Sequence, residues 1–180
     1  MNNSASKDLV FKWIRYSLYL IGLFILTNAP SSIGLFGARP QWLLVFALIV
    51  SMFETIIPTV IISIAAGILL DYSQGTLIGY NCLVMLALCF GVFLANTYLL
   101  KHKMLNAITT CAICLALHGL LYYFFYFYIW SLSGSFYFIF YKLLPQVFLS
   151  LIVAVPIFWA FNKVFEKRNK PSISKYSHRF

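Results

Sequence analysis

Six apolar runs divide the chain, at 13–28, 41–52, 56–70, 77–100, 104–130 and 138–162, and polar residues collect between them. A helix needs about 20 apolar residues to cross the hydrocarbon core of a bilayer. The second and third runs are short on their own, so the number of spans depends on how 41–70 is read. As one helix it would give five spans and set the two termini on opposite sides. As two helices it gives six, with the termini on the same side. Glu54 and Pro58 mark the turn between the two short runs, and proline disfavours an uninterrupted helix. The pair therefore reads as a tight helical hairpin that need not cross completely.

Charge placement favours six spans. Lys and Arg gather at Lys7, Lys12 and Arg15, at Lys101 and Lys103, and in the tail at Lys163, Lys167, Arg168, Lys170, Lys175 and Arg179. With six spans every one of these clusters falls on the cytoplasmic side, as the positive-inside rule requires, and Arg39 and Lys142 are left outside. The expected architecture is an all-α integral membrane protein of six transmembrane helices with both termini in the cytoplasm. Residues 1–12 form a cytoplasmic segment, 13–162 the membrane domain and 163–180 a basic cytoplasmic tail.

Composition agrees. The chain is 62% hydrophobic and 9% charged, against about 25% charged in an ordinary soluble domain. So few charges cannot cover a globular surface in water. The net charge of +9 flanks apolar runs, which points to topology and anionic lipid heads and away from nucleic acid. The first run closes on Thr27-Asn28-Ala29-Pro30 without a small-residue cleavage site and reads as a retained helix. The loop at 29–40 carries Pro30, Gly34, Gly37 and Pro40, all turn residues. The aromatic stretch from Tyr122 to Trp130 is expected at the outer interface, where such belts sit.

Candidate chemistry is sparse. Cys82, Cys89, Cys111 and Cys114 all lie in apolar runs, where free Cys behaves as a small hydrophobe. Cys111, Cys114 and His118 share a helix face, but zinc usually takes four ligands, and His118 reads as a hydrogen-bonded interior histidine. His-Glu-x-x-His, Gly-x-Ser-x-Gly and P-loop patterns are absent. The sequence implies no enzyme, cofactor or metal.

Asp71 stands out, as one of only four acidic residues and at the end of an apolar run, where a carboxylate is costly. Its frame is Gly67-x-x-x-Asp71-x-x-x-Gly75-x-x-x-Gly79. Gly75 reads as a helix-terminating glycine with positive φ. Gly67, and by the same argument Gly79, would let a neighbouring helix approach closely. Arg39, on the same outer side, is the candidate ion-pair partner of Asp71. In Arg39-Pro40-Gln41-Trp42, Pro40 suits the first position of a helix and Trp42 reads as an interfacial anchor.

These two motifs, in this order and topology, resemble the MreD family of bacterial rod shape-determining membrane proteins over roughly residues 10–168. Gln41 stands where the family often has Asp or Asn. The resemblance implies a non-enzymatic protein of the inner membrane within the cell-elongation machinery. Its implied partners are a periplasmic protein of the MreC type, the actin-like MreB and the RodA–transpeptidase pair, which direct lateral peptidoglycan synthesis. The implied fold is similar to the substrate-binding S-components of ECF vitamin transporters. Such a transporter subunit is therefore the alternative function. Arg39, Pro40, Trp42, Gly67, Asp71, Gly75 and Gly79 form the implied structural and interaction motif.

Overall fold

The computed structural model describes residues 3–29, 39–98, 104–125 and 143–169. Among them are six helices: α1 (Asn3–Asn28), α2 (Trp42–Phe53), α3 (Ile56–Gln74), α4 (Tyr80–Tyr98), α5 (Met104–Tyr123) and α6 (Leu144–Asn169). All but α2 are long and apolar enough to cross a membrane. Pro30, Gly34, Gly37, Lys101, Lys103, Lys142, the aromatic residues 126–130 and the tail from 170 lie outside the described residues. The topology argument from the charges at 101–103 and the tail falls there too.

The hairpin expected at 41–70 is present. Glu54 and Thr55 are both extended and separate α2 from α3. Pro58 lies in the first turn of α3, where its missing N–H has no intrahelical partner to lose. Helix α1 begins at Asn3, ten residues before the first apolar run. Nothing between Asn3 and Trp13 breaks a helix, so it continues through polar sequence. Helix α4 starts at Tyr80, later than the apolar run at 77, because the residues before it are used in a turn.

Helix α2 is the core. Every residue from Leu43 to Met52 is buried, and a helix apolar all round belongs inside a bundle. At 1.5 Å per residue it is about 18 Å long, short of the ~30 Å hydrocarbon core. Lipid tails are as apolar as leucine, so such a bundle is held by close packing and buried hydrogen bonds more than by a hydrophobic drive. The most extensive pairing is between α3 and α4.

Contacts set the helix directions. At one end of the bundle, Tyr16 of α1 reaches Glu54 after α2, and Asn96 late in α4 donates to the Met52 carbonyl at 2.6 Å. Phe158 late in α6 packs on Phe53 there, with ring centroids 5.3 Å apart. At the other end the Gln41 amide donates to Ser150 Oγ early in α6 at 2.9 Å. Phe24 of α1 meets Tyr72 of α3, and Tyr80 of α4 meets Phe125 beyond α5. The start of α1 and the end of α6 thus lie at the same end.

Candidate functional site

The corner around Asp71 is built from the backbone outward. Gly75 ends α3 in the left-handed region, at φ 64°, and its N–H returns to the Asp71 carbonyl. The Thr76 amide reaches the same carbonyl at 3.2 Å. This is a glycine C-cap that satisfies an otherwise orphaned carbonyl. The chain then turns through Gly79, at φ 101°, into α4. The Leu83 amide donates to the Gly79 carbonyl, so Gly79 occupies the N-cap position of α4. Glycine has no side chain with which to cap.

Asp71 supplies the missing cap from the preceding helix. Its Oδ2 accepts from the Gly79 amide at 2.8 Å. Its Oδ1 accepts from the Asn81 amide at 3.0 Å and from Thr76 Oγ1 at 2.8 Å. The first amides of a helix have no intrahelical acceptor, and a carboxylate there meets the positive end of the helix dipole. One residue therefore closes the C-terminus of α3 and the N-terminus of α4. This is why a 99%-buried carboxylate is tolerated at this depth.

A second polar layer extends the corner to α5. Asn81 is fully buried. Its Nδ2 donates to Thr76 Oγ1 at 3.1 Å and to Gln74 Oε1 at 3.3 Å. His118 Nε2–H donates to Asn81 Oδ1 at 3.0 Å, which makes His118 the interior histidine expected from the sequence. Its Nδ1 is buried without a hydrogen-bond partner. Sequence reasoning missed Asn81, Thr76 and Gln74. A lone amide two residues past Gly79, at the start of an apolar run, was the available signal.

The glycines divide by role. Gly67 is a close-approach position: a Cβ built there would stand against the Cys82 Cα and 2.8 Å from its amide nitrogen. Gly75 has the expected positive φ. Gly79 departs from expectation. Nothing lies within 4 Å of an added Cβ, so its constraint is the backbone conformation and not helix packing.

The second motif also differs from its reading. No ion pair joins Arg39 to Asp71: Arg39 is exposed, and backbone amides and Thr76 already occupy the carboxylate. Pro40 precedes the N-cap rather than opening the helix, because Gln41 is the N-cap of α2, at φ −88° and ψ 74°. The Trp42 amide bonds back to the Pro40 carbonyl at 3.1 Å, an inverse γ-turn about Gln41. Trp42 is half-buried. Its indole N–H is shielded and has no hydrogen-bond partner among the described residues.

At the opposite end, Glu54 accepts from Lys12 Nζ and from the Tyr16 hydroxyl at 2.6 Å. Lys12 and Tyr16 are one helical turn apart and lie on one face of α1. From the sequence alone Glu54 reads only as part of the turn. Removing one partner of a shielded pair leaves the other charge uncompensated. Glu54→Gln and Lys12→Met are each expected to cost about 1–3 kcal/mol, and the double variant less than their sum. Thermal unfolding of the four proteins in detergent measures this; strict additivity would show that the pair contributes nothing.

What the Asp71 corner does chemically is hold geometry. The carboxylate's lone pairs are directed at donors of its own turn. Among the described residues, no group of three His, Cys, Asp or Glu is arranged to hold a metal. Comparison with curated proteins and with solved structures finds no match. The family model of rod shape-determining protein MreD matches residues 7–168. That match runs through all six helices, from the Lys12 face of α1 past the Asp71 corner to the end of α6, and the chain belongs to the MreD family as a multi-pass helical membrane protein.

Proposed function

We propose that this chain is a non-catalytic scaffold of the bacterial rod complex, resident in the inner membrane. It crosses that membrane six times with both termini in the cytoplasm, 1–12 and 163–180 flanking the membrane domain. It binds a periplasmic protein of the MreC type and works with MreB and the RodA–transpeptidase pair to direct lateral peptidoglycan synthesis. Arg39, Pro40, Trp42, Gly67, Asp71, Gly75 and Gly79 shape the outer end that the partner meets. The reading rests on family membership. The single structural observation that carries it is the saturation of Asp71 by Thr76, Gly79 and Asn81, which suits a shaped docking corner better than a reactive group.

Co-purification tests it. The wild-type chain is expected to retain an MreC-type partner from detergent-solubilised membranes, and Asp71→Asn and Gly75→Leu to retain less. Undiminished recovery with both variants would count against the docking role. Stoichiometric binding of a vitamin by the purified chain would replace the scaffold with an S-component of an ECF-type transporter. Reporter fusions that place the tail outside the cytoplasm would refute the topology.

A further inference from the structure

A partly open cavity of about 380 Å³ lies between α1, α2 and α6, and Asp71, Thr76, Gly79 and Asn81 are not among the described residues that line it. Arg15 and Tyr19 of α1, Trp42 and Phe46 of α2, and Pro156 and Ala160 of α6 line it. On α1 and on α6 these residues are spaced i, i+4, so each pair lines one face of its helix. The cavity follows α2 from Trp42 to Glu54, about 18 Å at 1.5 Å per residue. One leaflet of hydrocarbon is about 15 Å deep, half of the ~30 Å core. A second helix, about 10 Å across, is too thick for this volume. A single extended hydrocarbon chain matches its length and suits its small volume.

Charge selects the kind of chain. Among the described residues, two charged ones line the cavity, Glu54 and Arg15. Glu54 is held by Lys12 and Tyr16. Arg15 is exposed, and no described acidic side chain pairs with it. Its planar guanidinium suits two parallel hydrogen bonds to a phosphate. Lys163, exposed at the same end and 5.0 Å over the Trp159 ring, adds positive charge nearby. We propose that this groove seats one acyl chain of an anionic phospholipid whose phosphate is bound by Arg15, in the leaflet at the end of the bundle where α1 begins. The site depends neither on the scaffold reading nor on which compartment that leaflet faces.

Native mass spectrometry of the full chain in mild detergent, after exposure to phosphatidylglycerol or phosphatidylcholine of equal chain length, tests this. The unmodified protein is expected to retain phosphatidylglycerol about fivefold better, ~1 kcal/mol for one basic residue at an anionic surface. Arg15→Gln should reduce phosphatidylglycerol to the phosphatidylcholine level. Ala160→Phe, from an exposed position on the groove wall, should lower retention of both. Leu18→Phe, on the exposed face of α1 outside the groove, should change neither. Equal retention of the two lipids by the unmodified chain would overturn the headgroup assignment without any variant. Full retention by Ala160→Phe, or a peptide or second copy of the chain found in place of lipid, would overturn the groove.

Discussion

Replacing Asp71 by asparagine is expected to lower stability by about 2–4 kcal/mol, and by alanine somewhat more. The volume hardly changes in the first case, so the loss is electrostatic. An amide can present its oxygen to Thr76 and Asn81. Its nitrogen then faces the Gly79 amide, and two donors meet where a donor met an acceptor. A buried group left unsatisfied costs about 1–3 kcal/mol. The lost charge at the α4 N-terminus adds about 0.3–2 kcal/mol. Alanine releases all three donors. The side chain caps α4 directly and holds Thr76 Oγ1 just past the end of α3, whose own C-cap is made by the Asp71 backbone carbonyl, so the damage should be largest at α4 and spread to the end of α3 through Thr76. Hydrogen exchange should accelerate at the Gly75 and Thr76 amides as well as at Gly79 and Asn81, while α1 stays protected. A loss confined to the α4 side would show that the glycine C-cap holds α3 unaided. Thr76→Val, which removes one donor and leaves the backbone amides in place, should cost about 1 kcal/mol.

Gly67→Leu is expected to have the largest effect of any single substitution in the bundle. An added Cβ meets the Cys82 backbone, which cannot rotate away as a side chain could. The two helices must separate, and α3·α4 is the most extensive pairing in the fold. Overpacking typically costs 1–3 kcal/mol. With backbone on the far side the cost for alanine should lie near 3 kcal/mol, and leucine should prevent stable folding. Gly91 is the control. It lies exposed in α4 with nothing within 4 Å of an added Cβ. Gly91→Ala should be neutral or stabilising by up to about 1 kcal/mol, the helix-propensity difference. Melting temperatures in one detergent compare the three. A Gly67→Ala protein that melts with the wild type would show that α3 and α4 can part freely.

Separation of α3 and α4 would also move the Asp71 corner. Gly67 faces Cys82, the residue after Asn81, whose amide and side chain form part of the cap. The two predictions are therefore coupled, and their combination should fall short of additivity. That coupling links the glycine spacing seen in the sequence to the polar layer seen in the structure.

The apolar runs, the break at Glu54–Pro58, the terminating Gly75 and the close-approach Gly67 were all legible in the sequence. Each follows from a local rule about length, proline, φ or side-chain size, and local rules act through neighbours along the chain. The family resemblance was legible for the same reason, since its two motifs are short and contiguous. What reads wrongly from sequence is pairing. Arg39 is a sensible partner for a lone acid, but the choice between a distant guanidinium and nearby amides is made by where α4 begins. The helix starts at Tyr80, and its first N–H groups meet Asp71 before any side chain from another loop does. Gly79 likewise has the right residue type with a different reason, a backbone angle in place of a helix contact.

Residues far apart in the chain account for the rest. Lys12 and Glu54 are 42 positions apart, His118 and Asn81 are 37, and Gln41 and Ser150 are 109. No periodicity or spacing announces such pairs, because each exists only once the helices are packed. Composition, run lengths and the glycine frame were enough to make this a helical membrane protein with a built corner at Asp71. Packing against α4 and α5 made that acid a cap, and α1 and α6 closing over α2 left the groove beside Arg15. A lone carboxylate among apolar residues must be satisfied by something, and which donors satisfy it is settled by proximity in three dimensions.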